Sequence, residues 1–272
     1  MALAVVTAVL GGFVWCREVY QSPENVFWGA ISNNLSTQSL TRHTKQTSGD
    51  QVSDTYIRVN TGSQNVAEIL QTTTRTSQSR YRVVQEKIGV PDIDYTRYKD
   101  INTGQKGKNY SGVEGVWAQS ASSKVFNQAA LGTFPTAYLR HNLKRQLIDA
   151  MKDKHVFSVD FTKVSHEQVN GDRVYVYNVK INAQPYFETY RLFLNILGLN
   201  KVELPDPETY ANSRPLEIKV YIKPNGRQIS KIHYVISQQD EFFMGYGLNQ
   251  QVKIPDNSIP VSQLQKRVQN AQ

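Results

Sequence analysis

Cysteine, acidic residues and long apolar runs are scarce in this sequence, and each scarcity removes a class of protein. One cysteine among 272 residues, Cys16, excludes an intrachain disulfide framework and any multi-cysteine zinc site. Acidic residues are the minority charge, 23 Asp and Glu against 31 Lys and Arg, for a formal net charge of +8. That balance suits anionic partners, either membrane surfaces or nucleic acid, without choosing between them. No recognition helix or RNA-binding signature accompanies the positive charge, so no nucleic-acid partner is expected.

Catalytic signatures are missing as well. The five histidines, His43, His141, His155, His166 and His233, lack metal-binding spacings such as H-E-x-x-H, and no G-x-S-x-G elbow is present. Asp92-Ile93-Asp94 is an acidic pair at ion-binding spacing, but a lone D-x-D in a loop reads first as a solvated turn. The glycine-rich stretch around Gly104, Gly107, Gly112 and Gly115 departs from the G-x-x-x-x-G-K-[ST] phosphate loop and reads as a mobile basic loop. No enzyme activity, cofactor or metal is expected.

One uncharged run does occur, at residues 2–16. As a helix it spans about 22 Å, short of the roughly 30 Å hydrocarbon core. It fits a transmembrane anchor truncated at its start, a signal-peptide core, or a buried helix. A core helix is rarely apolar on every face, which favours the two membrane readings. Trp15 stands where lipidation of Cys16 would want a small residue.

What the chain has in plenty is sheet-forming material, with 15 Tyr, 10 Phe and many Thr. Ser22-Pro23-Glu24 starts a helix that carries Phe27, Ile31 and Leu35 on one face. Short strands separated by turn residues follow at 37–47, 51–60, 66–74, 80–87 and 95–101. A helix over 137–154 turns Leu139, Leu143, Leu147 and Met151 inward, and strands at 155–167 and 173–182 come next. The helix over 183–199 has a broad apolar side made of Tyr186, Phe187, Tyr190, Phe193, Leu194 and Leu197. Residues 214–237 then form a hairpin closed by Lys223-Pro224-Asn225-Gly226-Arg227. With Gly226 left-handed, Ile218 falls opposite Ile232, Leu216 opposite Tyr234 and Lys219 opposite Lys231. One hairpin face is then Leu216, Ile218, Val220, Ile222, Ile232, Tyr234 and Ile236. A last strand at 241–248 leads to a polar tail from Val261 that frays.

This order of elements, with LEIKVYIKPNGRQISKIHYVIS, Tyr246-Gly247 and Val252-Lys253-Ile254-Pro255 near its end, resembles the LolA-like lipoprotein-carrier superfamily, and within it the LppX/LprG-type lipid-binding lipoproteins. The resemblance covers residues 22–264 in element order and is recognisable in sequence only over the last sixty or so. It implies an α+β fold: a strongly curved, open antiparallel sheet, a half-barrel, with helices on its concave face and an acyl-chain cavity between them. Residues 1–20 would be the N-terminal membrane segment, 21–264 the lipid-binding domain and 265–272 a polar tail.

The expected cavity lining is Phe27, Ile31, Tyr186, Phe187, Tyr190, Phe193, Leu194, Leu197, Ile218, Ile232 and Tyr234. The expected function is non-catalytic binding or transfer of acyl-chain lipid in the cell envelope, with lipid or lipoprotein and the membrane as partners. The alternative is a membrane-anchored extracytoplasmic sensor or surface-interaction domain with the same fold and a filled core. Cell fractionation is expected to recover the full chain with membranes, and recovery in the soluble cytoplasmic fraction would remove the anchor.

Overall fold

The computed structural model describes residues 21–271 apart from 62–64, 106, 131, 170, 200–203 and 249–250. The run at 2–16 lies outside the described residues, among which no helix is long and apolar enough to cross a membrane. The fold is α+β with mostly antiparallel open sheet. Two compact units divide the chain: one holds residues up to 36 with 139–196 and 204–238, the other 37–138, 197–203 and 239–272.

In the first unit, α1 (Pro23–Asn34) follows the expected start at Ser22-Pro23-Glu24. Five strands and two further helices come after it: α3 (His141–Asp153), β7 (Phe157–Val159), β8 (Ser165–Val169), β9 (Asp172–Ile181), α4 (Ala183–Ile196), β10 (Leu216–Lys223) and β11 (Gln228–Tyr234). β10 pairs antiparallel with β9 and β11, while β7 and β8 share the other side of β9. α1 lies on β10 and β11, and α4 packs on α3 and on a short 3-10 turn at Pro207–Tyr210. Phe27 is the centre of the core, within 5.4–6.0 Å, ring centre to ring centre, of Tyr177, Phe161 and Phe157. The buried Tyr177 hydroxyl donates to the Pro23 carbonyl at 2.9 Å, fixing the start of α1 to the sheet. Desolvation and the neighbouring Tyr175 push its pKa far up, so this hydroxyl stays a donor.

The β10–β11 hairpin corrects the expected register. Ile218 faces Tyr234, Val220 faces Ile232, and Ile222 faces Ile229 across a bulge at Tyr221/Ile222. Gly226 is not left-handed; Arg227 takes that conformation, with φ 46°. The cause is longer range than turn chemistry. Asn33 on α1 donates to the carbonyls of Gly226 and Arg227 at 3.1 and 3.2 Å, and the Arg227 side chain lies where a Cβ on Gly29 would be, so the loop is shaped by the helix it rests on. The two-residue shift removes the like-charged Lys219–Lys231 pair: Lys219 faces His233, and the Lys231 ammonium sits 4.1 Å from the Tyr221 ring centre. Leu216 and Ile236, expected on the apolar face, are exposed at 39% and 81%.

The second unit opens with five consecutive antiparallel strands: β1 (Ser39–Ser48), β2 (Gln51–Asn60), β3 (Val66–Arg75), β4 (Arg82–Val90) and β5 (Ile93–Asn102). β12 (Gln239–Met244) pairs with β1, β6 (Ala118–Ala121) with β5, and β13 (Ile259–Pro260) runs parallel to β6. One face carries Ile57, Val59, Ala67 and Ile69 under the helix α2 (Lys124–Ala130), which gave no signal in the sequence reading. Gly89 permits the approach, since a Cβ there would lie 2.4 Å from the Phe126 nitrogen. Two loop expectations change. Tyr110 and Val113 in the glycine-rich stretch are buried at 7% and 1%. The tail forms α5 (Val261–Ala271), whose Leu264 and Val268 pack with Val113 and Ala118.

Arg42 ties this unit together from a nearly dry position. Its guanidinium meets Glu241 at 3.2 Å, with both side chains at most 6% exposed, and donates to the Ala129 carbonyl at 2.6 Å, at the C-terminal end of α2. Arg42→Met is expected to cost about 3–5 kcal/mol in urea unfolding, because the buried Glu241 carboxylate loses its counter-charge. Arg42→Met/Glu241→Leu should recover most of that loss; an unrecovered double variant would show that the α2 carbonyls, not Glu241, need the guanidinium.

Candidate functional site

Strand alternation decides which side chains meet on the face of the second unit opposite α2. Arg58 on β2 is paired with Glu68 on β3, and Glu86 on β4 with Arg97 on β5, so the inward Ile57 and Ile69 force these charged neighbours outward together. Arg58 reaches Glu68 at 2.8 Å, and Arg97 reaches Glu86 at 2.6 Å through Nη2 and 2.7 Å through Nε. The two carboxyls are neighbours between the pairs, each shifting the other's pKa. Beyond them the Arg97 guanidinium lies 4.5 Å from the centre of the Trp117 ring. The result is a row Arg58, Glu68, Glu86, Arg97 crossing four strands and ending at Trp117, just before β6.

The two carboxyls of the row are pushed in opposite directions. Burial, with the Glu86 contact, raises the Glu68 pKa above the ordinary 4.5. Burial also acts upward on Glu86, but the hydrogen bonds from Glu68 and Arg97 and the charges of Arg97 and Lys99 outweigh it and lower its pKa. The raised value shifts Glu68 toward its protonated form and the lowered one holds Glu86 as the carboxylate over a wider pH range.

Residues 251–259 run across this face as an irregular strap. Val252 closes an apolar patch of Val66, Ile88 and Tyr95, joined by Trp117, and Ile259 re-enters the sheet by donating to the Trp117 carbonyl at 2.9 Å. Between strap and charge row lies an open pocket of about 710 Å³.

The residues expected to line an acyl cavity are placed differently. Phe27, Ile31, Tyr190, Phe193, Leu194, Ile218 and Ile232 are at most 3% exposed, while Tyr186, Phe187, Leu197 and Tyr234 are half-buried. The structure gathers Phe27, Ile31, Ile218 and Ile232 between α1 and the sheet. It strings Tyr186, Tyr190 and Phe193 along α4 at ring-centre spacings of 4.4 and 5.8 Å. Leu197 belongs to the second unit. Of all these, Ile218 alone borders one of the four pockets described within single units, an open groove of about 770 Å³ that also touches Val159, Val179, Val235 and Lys219. Asp94 of the D-x-D pair is buried and accepts from the Val125 amide at 3.2 Å, capping the start of α2. Among the described residues no three acidic, histidine or cysteine side chains converge as metal ligands.

No protein-family model matches this chain, and no curated protein matches it in sequence.

The charge row makes stability depend on pH with a definite sign. A carboxyl whose folded pKa is raised, as Glu68's is, contributes stability that is full below its unfolded value and lost as pH rises through the folded value. Glu86 contributes in the opposite sense, losing its share as pH falls through its lowered pKa. Glu68→Gln keeps a donor toward Glu86 and an acceptor for Arg58 but cannot ionise. Its melting temperature is expected to exceed the wild type's by a margin that grows as pH climbs above 4.5, and a constant margin would contradict the raised Glu68 pKa.

Proposed function

We propose that this chain is a non-catalytic binding protein of the extracytoplasmic sensor or surface-interaction kind, held in a membrane by its N-terminal run, with a filled core in its first unit. The observation that carries this reading is the packing of the residues on which acyl-chain binding would depend. Phe193, Phe27 and Ile232 are 0% exposed and Ile31 and Ile218 1%. Rings and branched side chains of the core are shut off from solvent between helices and sheet, as in close-packed native interiors. An acyl-binding site needs spare apolar volume, because its affinity comes from burying roughly 0.8 kcal/mol per CH₂.

The two carboxyls of the charge row also favour binding over glycoside hydrolysis. Carboxyl pairs that cleave glycosides stand about 5 Å apart or more, to admit the sugar carbon or a water. Glu68 and Glu86 are close enough to shift each other's pKa, and each is held by an arginine.

A second reading, the acyl carrier of the LolA-like resemblance, has one observation in its favour. The groove beside Ile218 has an apolar floor of Val159, Val179 and Val235, with Lys163, Lys180 and Lys219 along it as partners for a phosphate head group. Native mass spectrometry of the full chain purified from membranes separates the two. Protein of the bare chain mass, before and after incubation with phospholipid vesicles, is the expected result; a stoichiometric adduct that organic extraction identifies as acyl lipid would establish the carrier.

A further inference from the structure

The strap pocket has a composition that narrows its occupant to one chemical class. Its charged lining is balanced, Arg58, Arg97 and Lys253 against Glu68, Glu86 and Asp256. A net-charged ligand therefore gains no long-range attraction, and an acyl chain would have to desolvate charges and return nothing to them. What remains on offer is a dense array of short-range donors and acceptors beside apolar walls from Ile88, Val252 and Pro255.

The strap adds to that array. Among the described residues, the peptide groups of 252–258 make no backbone hydrogen bond, and the first along the strap is the Ile259 amide to Trp117. The strap residues that line the pocket thus bring main-chain N–H and C=O groups as well as side chains to its neighbourhood. A peptide ligand extending the sheet would need a continuous ladder of such groups. Pro255 removes one N–H, and a bend at Asp256, spanned by the Lys253–Asp256 ion pair at 3.4 Å, turns the following ones. A polyol has no such register requirement. Its hydroxyls each donate and accept, and its C–H faces suit apolar walls. At about 710 Å³ the pocket also falls within the size range of small-molecule sites.

We propose that the pocket between residues 251–259 and the row Arg58, Glu68, Glu86, Arg97 and Trp117 binds a neutral saccharide. The proposal rests on reading the chain as a binding protein, and gives that reading its ligand class. Glu86 and Arg97 would exchange part of their mutual contact for ligand hydroxyls, and Glu68 and Arg58 part of theirs.

The test is saturation-transfer NMR and calorimetry on the full chain in phospholipid nanodiscs, which avoid glycoside detergents. The probes are maltotriose, cellotriose and triacetylchitotriose as neutral saccharides, a sulfated disaccharide, and a capped hexapeptide. At least one neutral saccharide is expected to bind with millimolar affinity or better, and the other two probes not to compete with it. Glu86→Gln should weaken that binding by about tenfold or more, the scale of one lost charge-assisted hydrogen bond. Glu68→Gln, expected to fold at least as stably as wild type, should weaken it too, which separates a binding effect from an unfolding one. Lys152→Gln, in the first unit, should leave it unchanged. Absence of saccharide binding, binding indifferent to both glutamate variants, or preference for the sulfated sugar or the peptide would each overturn the proposal. Lipid recovered from the first unit would end the filled-core reading and leave this titration unaffected, so the two failures are distinguishable.

Discussion

The Arg42 guanidinium is the constraint on which the second unit depends. It sits under α2 almost without solvent, paired with Glu241 and donating to carbonyls at the C-terminal end of the helix. Seven residues make a helix too short to hold itself. It persists because its apolar face covers Ile57, Val59, Ala67 and Ile69, because Asp94 caps its start, and because Arg42 satisfies its end. The same arginine links β1 to β12, so the order of the sheet and the placement of its covering helix share one cation. Gly132 lies against it, where any Cβ would be 2.3 Å from the guanidinium.

Covering one face fixes the chemistry of the other. Once the odd-numbered residues of β2 and β3 face α2, Arg58 and Glu68 must face away, and Glu86 and Arg97 follow through the β3–β4 and β4–β5 registers. Cross-strand pairing then neutralises the charges locally, which lets carboxyls that are nearly inaccessible persist on a sheet face. The strap finishes the arrangement by sealing the apolar half of the face with Val252 and leaving the charged half open.

Much of this was legible in the residues. The first five strands fall within three residues of the segments read from turn chemistry and alternation, and α1 and α4 begin where their caps and apolar faces place them. The charge row was legible too, since folding β2 back on β3 and β4 back on β5 sets Arg58 against Glu68 and Glu86 against Arg97; the sparse apolar residues of these Thr- and Gln-rich strands carry a weaker signal. Other features had no local signal. The register of β10–β11 depends on Asn33, some 190 residues away in sequence, and α2 is stabilised almost wholly by tertiary contacts. The tail helix α5 carried a readable spacing, Val261, Leu264, Val268 and Ala271, that polar composition obscured.

The central physical claim concerns space. In the first unit Phe27 meets Phe157 and Phe161 edge to face and Tyr177 at a tilt, and Ile218 and Ile232 are buried; on the proposed reading a ligand chain has no apolar volume to enter without displacing a ring. Xenon reports such volume directly, since it enters dry apolar cavities and leaves filled cores alone. Crystals pressurised with xenon are expected to show no site bordered by Phe27, Phe193, Ile218 or Ile232, whereas an ordered xenon atom among those residues would contradict the account.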